Sequence, residues 1–151
     1  MNIAVFPGSF DPITKGHESV VNRASGLFDK IYVAIGINAN KKYLFDLDTR
    51  KKYITDTFKD NPKVEVIDYN KLTIELCNDL GAKFILRGLR NSEDFNFEYS
   101  ISQANLALNP EVETLFLATE AKFSAISSSI VRDIYKHGGN IEAFIPDAIK
   151  I

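Results

Sequence analysis

A single cysteine, Cys77, is all that the sequence contains. That excludes an intramolecular disulfide and any multi-cysteine metal site. No apolar run approaches the ~18 residues that a membrane-spanning helix requires. Neither sign of charge dominates: 18 basic and 20 acidic side chains leave a net charge of −2. This argues against a general binder of nucleic acid or of an anionic membrane, both of which favour a basic surface. The N-terminal residues read as a strand and not as a charged-then-apolar leader, so the expected location is the cytoplasm. There is no internal repeat, low-complexity tract or linker-like shift in composition, and 151 residues suit one domain, 1–151. The better-known phosphate loops, GxGxxG and GxxxxGKS/T, are both missing. So are a Ser-His-Asp or Cys-His arrangement and a paired-carboxylate metal motif.

What is present begins with MNIAVFPGSFDPITKGH, residues 1–17. Asn2 to Phe6 form a short apolar run with β-branched Ile3 and Val5, the pattern of a buried parallel strand. Pro7 to Pro12 break regular structure, and Gly8 permits a close backbone path. Val20, Val21, Ala24, Leu27 and Phe28 then repeat with helical spacing, which puts His17 in the first turn of a helix. A helix N-terminus offers unpaired N–H groups and partial positive charge, both suited to a phosphate.

Further strands are expected at 31–35, 64–67, 84–86 and 113–118. A helix from Asp46 to Phe58 carries Ile54 and Phe58 on its buried face; the next carries Leu72, Leu76 and Leu80 and stops at Gly81. Phe97, Ile101, Ala104 and Leu108 give the buried face of a fourth, and Ser127 to Ser129 open a last one ahead of Gly138-Gly139. Residues 141–151 read as a short packed turn or helix. Strand–helix alternation predicts an α/β fold: a Rossmann-like, doubly wound five-stranded parallel sheet with helices on both faces. In such sheets ligands bind beyond the carboxyl ends of the strands. Ser9 to His17, Lys41, Thr73, Arg87 with Arg90, and Ser127 to Ser129 each follow a different strand, so five segments bring polar groups to one edge. Arg87, flush with an apolar strand end, needs an anionic partner, and Arg90 makes with it a two-guanidinium clamp for phosphate.

PGSFDP followed by Thr-x-Gly-His, RGLR with Asp94-Phe95 behind it, and ISSS at 126–129 stand in order at the strand ends. Together they resemble the nucleotidylyltransferase superfamily, in its phosphopantetheine adenylyltransferase branch. The resemblance implies adenylyl transfer from ATP to 4′-phosphopantetheine, giving dephospho-coenzyme A and pyrophosphate, with Mg²⁺ held mainly by ATP phosphates and water. It implies that His17 contacts the nucleotide phosphates and stabilises the transition state. ATP would be bound by Ser9, Phe10, His17, Gly88, Leu89, Arg90, Glu98 and the segment Phe123, Ser124, Ala125, Ile126, Ser127, Ser128, Ser129, with Glu98 towards the adenosine. Ser9, Lys41, Thr73 and Arg87 would bind the acceptor. Ala125 stands where the family usually has Phe. The family also implies a homo-oligomer, a hexamer.

Lys42 reads as surface, Cys77 as a small buried hydrophobe, His137 as a helix C-terminal histidine, and Asp11 as an Asx turn before Pro12; Arg132 has no assigned role. Two alternatives stand beside this reading. One is a sister nucleotidylyltransferase with another acceptor, such as nicotinamide mononucleotide or glycerol phosphate, against which RGLR and ISSS together argue. The other is a nonenzymatic nucleotide sensor, against which His17 with both arginines argues.

Overall fold

The computed structural model describes residues 1–151. Five strands form one all-parallel sheet: β1 (Ile3–Gly8), β2 (Lys30–Gly36), β3 (Val64–Tyr69), β4 (Phe84–Leu89) and β5 (Glu113–Ala118), in the order β3-β2-β1-β4-β5. Five helices connect and follow them: α1 (Lys15–Ala24), α2 (Leu47–Thr57), α3 (Thr73–Leu80), α4 (Ser92–Leu108) and α5 (Ser128–Lys136). None is long and apolar enough to cross a membrane.

Alternate strand residues point to opposite faces, and each face has its own core. Ala4, Phe6, Ile31, Val33, Ile35 and Leu86 meet α1, α2 and α5 through Val20, Val21, Ala24, Ile54, Phe58 and Val131. Val5, Ala34 and Ile85 meet α3 through Ile74, Leu76 and Cys77. Ile141, Ile145 and Ile149 of the tail join the first core. The tail also lends the Phe144 carbonyl to the Lys15 N–H, one of the donors left open at the start of α1.

Strand order reverses between β1 and β4, the switch point at which such sheets bind ligands. These strands pair only at Ala4 with Phe84 and Val5 with Ile85, although both run further. Beyond that they part, and the gap is the root of the site. Strand β1 therefore continues through Pro7 and Gly8 and does not break at Pro7, still in register with Ala34 and Ile35 of β2. Pro7 is tolerated because it faces the gap: its carbonyl points across to Arg87, on the side where an N–H would have no strand to meet. Strand β4 likewise includes Arg87 and Gly88, paired with Phe116 and Leu117.

Several expected helix faces differ. Leu27 and Leu72 are exposed, and α3 buries Ile74 and Cys77 beside Leu76. The larger difference is α4. Phe97 is 68% and Leu108 61% exposed, Ile101 is also exposed, and the helix buries Glu98 and Ser102. A polar stripe at Asp94, Glu98 and Ser102, spaced four apart, faces the sheet edge in place of the apolar one.

Candidate active site

Two cavities open where β1 and β4 part, one of about 340 Å³ and one of about 390 Å³. Both are lined by Pro7, Gly8, Ser9, Lys41, Arg87 and Glu98, which form a shared wall. The smaller continues over His17, Phe10, Gly88, Arg90, Phe123, Ile126 and Ser127 to Ser129. The larger continues over Thr73, Tyr43, Tyr69, Lys71, Phe97, Ile101 and Asn105. Leu89, Ser124 and Ala125 lie outside both.

His17 is placed by a capping box. Thr14 caps α1, its Oγ1 accepting the His17 N–H at 3.4 Å, and the Thr14 N–H donates to His17 Nδ1 at 3.0 Å. The usual reciprocal acceptor is Glu or Gln; here it is an imidazole. Nδ1 accepts, so the neutral ring carries its proton on Nε2. Phe10 and Phe6 stand edge-on to the ring at 5.0 and 6.1 Å. Burial first, then the charges of Arg87 and Arg90, push the His17 pKa from 6.5 down to about 4. Phe10 reaches this position with φ of +49°, in the left-handed region that bulky residues avoid. A side chain on Gly8 would meet the Phe10 ring at 3.0 Å.

Arg87 has an anionic partner within the protein. Its Nε and Nη2 donate to the two carboxylate oxygens of Glu98 at 2.9 and 2.7 Å, a two-point grip. Its Nη1 donates to the Pro7 carbonyl and so spans the split between β1 and β4. Glu98, expected towards adenosine, therefore stands in the shared wall as the brace of Arg87. Arg90 is held the same way by Asp94, at 3.0 and 3.1 Å, and holds the Asp94 carboxyl below the usual range. The clamp is thus pre-oriented by two carboxylates from one stripe of α4. Lys41 Nζ donates to Ser9 Oγ at 3.0 Å.

Each of the three serines has a separate role. Ser127 caps α5 by accepting the Ile130 N–H, Ser128 donates to the Pro12 carbonyl, and Ser129 accepts from Arg132 Nη2 at 3.1 Å. Two helix N-termini, those of α1 and α5, thus line one cavity. Thr73 opens α3, and its hydroxyl lies 2.9 Å from that of Tyr69.

Asp11 makes no Asx turn. Its two carboxylate oxygens accept the N–H groups of Leu44 and Phe45 at 2.8 and 2.9 Å, a tie across 33 and 34 residues. Arg132 also lines the smaller cavity, its Nη1 on the Asp11 carbonyl at 2.9 Å. Asp94 is a third residue without an expected role. A signal existed for two of them: Asp94 is spaced four from Glu98 on α4, and Arg132 is one helical turn beyond the serines. Cys77 is buried, which pushes its thiol up to about 11. His137 is exposed near the end of α5, with Nδ1 2.8 Å from the Asp133 carbonyl. No group of three or more Asp, Glu, His or Cys side chains is placed to hold a metal ion. Asp11, Asp94 and Glu98 already have their oxygens engaged by N–H groups and guanidinium.

Comparison with known proteins gives the family and the fold. The family profile described as cytidylyltransferase-like matches residues 5–134. Phosphopantetheine adenylyltransferase of Flavobacterium johnsoniae is 56% identical over 151 residues, covering 100% of this chain and 99% of that one. The enzyme of the same name from Clostridium tetani is 44% identical over 149 residues, 99% of this chain and 93% of its own. Among solved structures, a proposed nicotinate-nucleotide adenylyltransferase from Vibrio parahaemolyticus superimposes with a TM-score of 0.73 at 22% identity, over 98% of this chain and 96% of that one. That last likeness is one of fold alone. Both of these enzyme matches run over essentially the whole length of this chain. The chain therefore belongs to the phosphopantetheine adenylyltransferases, within the cytidylyltransferase-like nucleotidyltransferases.

Proposed function

We infer that residues 1–151 act as one nucleotidylyltransferase domain that moves the adenylyl group of ATP to the phosphate of 4′-phosphopantetheine, releasing pyrophosphate and dephospho-coenzyme A. The observation that carries this reading is the shared wall. Two cavities suit two substrates, and Ser9, Lys41 and Arg87 stand between them, where an acceptor phosphate and an α-phosphate would meet. ATP is assigned to the cavity over His17, Gly88, Arg90 and Ser127 to Ser129, and the acceptor to the cavity that includes Thr73.

Phosphoryl and nucleotidyl transfer need positioning and charge neutralisation more than covalent help, and the site is built of those means. The two helix N-termini and the serine cap receive the β- and γ-phosphates. Arg90, held flat by Asp94, reaches the nucleotide. Lys41, Ser9 and Arg87 take the acceptor phosphate. His17 offers Nε2–H to an α-phosphate oxygen, where negative charge gathers in the transition state. The residues form no cage for magnesium, which would be held mainly by ATP phosphate oxygens and water. It would supply neutralisation of charge on the triphosphate.

A homohexamer accompanies this reading, supported by the family and by the apolar side of α4. Phe97, Ile101 and Leu108 are exposed along that side, and Phe95 and Tyr99 are exposed on the opposite side of the helix, a larger open apolar area than a helix usually leaves. An acceptor screen tests the reaction: pyrophosphate release from ATP with phosphopantetheine, nicotinamide mononucleotide or glycerol phosphate. Turnover with phosphopantetheine alone is expected. Turnover only with another acceptor, or ATP binding with no turnover, would reject it.

A further inference from the structure

Arg50 lies on α2, outside every sequence block described above, and only 3% of it is exposed. A buried guanidinium is costly unless its partners are good. Its partners are two backbone carbonyls and a ring: Nε donates to Phe45 O at 3.0 Å, Nη1 donates to Ser9 O at 2.8 Å, and the group lies 4.0 Å from the Tyr43 ring centre. None of these is a carboxylate. A methionine or leucine would pack on α2 without that cost, so this arginine is explained by what it joins.

It joins two loops. Ser9 belongs to the β1–α1 loop, and Tyr43 and Phe45 to residues 37–46 between β2 and α2. Asp11 works from the other side, taking the N–H groups of Leu44 and Phe45. Phe45 thus has both backbone groups held by side chains, its N–H by Asp11 and its carbonyl by Arg50. The same loop carries Lys41, an exposed and flexible side chain whose Nζ sits 3.0 Å from Ser9 Oγ. A lysine on an irregular loop is well placed only if the loop is.

We propose that Arg50 is a positioning residue. It clamps residues 37–46 to the β1–α1 loop and thereby sets the Ser9–Lys41 pair against which the acceptor phosphate is placed. This rests on the assignment of Lys41 to the acceptor. The test uses the full chain with Arg50→Gln and Arg50→Lys, each alone and combined with Lys41→Ala. Amide exchange in residues 37–46 should quicken by roughly tenfold or more, while that of β2 is unchanged. The kcat/KM for phosphopantetheine should fall roughly 10- to 100-fold, whereas the dissociation constant for ATP, measured without acceptor, moves less than about threefold. In the Lys41→Ala background the Arg50 change should add less than about threefold, since the two act through one contact. If Arg50→Gln does not fold, Arg50→Lys, which keeps the charge but loses the planar fork that aims one N–H at each carbonyl, gives the same readings. Unchanged exchange in residues 37–46 overturns the clamp. Full additivity with Lys41→Ala overturns its action through that lysine. An unchanged acceptor KM in Lys41→Ala alone overturns the lysine's assignment instead.

Discussion

The Thr14 N–H donates to Nδ1 of His17 at 3.0 Å, and this contact decides which proton the ring can offer. With Nδ1 occupied as acceptor, Nε2–H is the only donor left to the neutral ring. His17→Ala should lower kcat by roughly 10²–10³-fold, the scale of one lost transition-state donor, in a protein that still folds. His17→Gln and His17→Asn, which keep a donor, should retain more activity than Ala. Near-normal turnover in a folded His17→Ala protein would reject the role.

The same residue makes stability depend on pH. Its pKa is about 4 in the folded chain against 6.5 without the fold. Between those values the unfolded chain binds more protons, so this contribution to stability rises with pH. Acidification from pH 6.5 towards 4 should therefore lower the urea midpoint, and His17→Gln should flatten part of that slope. Equal slopes in both proteins would contradict the burial of a neutral imidazole.

Gly88 of β4 leaves no room for a side chain beneath α1: a Cβ there would lie 2.9 Å from Val20 Cγ2. The valine is buried and stiff at χ1, so α1 would have to shift, and His17 with it. Gly88→Ala should cost about 1–3 kcal/mol and reduce kcat. Val20→Ala should relieve it, with a coupling of about 0.5–3 kcal/mol in a double-mutant cycle. Strict additivity in urea unfolding would remove the argument.

The two sides of the shared wall should separate in kinetics. Lys41→Ala should raise the KM for phosphopantetheine more than that for ATP, and Arg90→Ala the reverse. Loss of one charge-assisted contact corresponds to roughly 1.5–3 kcal/mol, or 10- to 150-fold. Equal effects on both substrates would dissolve the division.

Much of this was legible because the strand ends were. Parallel strands are short apolar runs, and each is followed at once by residues that an apolar environment cannot explain, such as Arg87 after Phe84-Ile85-Leu86. The rest was hidden for a physical reason. On α4 two stripes lie about a quarter-turn apart at 100° per residue, one apolar through Phe97, Ile101 and Leu108, one polar through Asp94, Glu98 and Ser102. Periodicity shows both, but not that the polar one is the buried one. Arg50 carried a signal of its own: it lies four residues before Ile54, as Ile54 does before Phe58, and so on the buried face. Asp11 gave none, because its partners, Leu44 and Phe45, are reached only through the fold.

The exposed apolar stripe carries a prediction about assembly. If neighbouring copies cover it in the homohexamer proposed above, light scattering at micromolar concentration should give six times the 16.9 kDa chain mass. Charged replacements at Phe97 and Ile101 should lower that mass. A monomer in the unaltered protein would leave the stripe without the occupant proposed for it.

No side chain is expected to activate the attacking phosphate. A phosphate monoester has a second pKa of about 6, so near neutral pH the acceptor is largely a dianion and already nucleophilic. The carboxylates lining the cleft are otherwise engaged: Glu98 by Arg87, Asp94 by Arg90, and Asp11 by two backbone N–H groups. His17 has its one lone pair on Nδ1, turned back onto Thr14 and away from the substrates. With its carboxylates and imidazole lone pair engaged, the cleft is built to hold the two phosphates in line, its hydroxyls and lysine serving as phosphate contacts. Direct transfer should then invert configuration at the α-phosphorus and leave no adenylylated enzyme. At low acceptor concentration the rate should rise with pH through the acceptor's own pKa and then flatten, until other groups titrate, and that limb should persist in His17→Gln. Retention of configuration with chirally labelled ATP, or an adenylyl group trapped on the protein, would sink the idea.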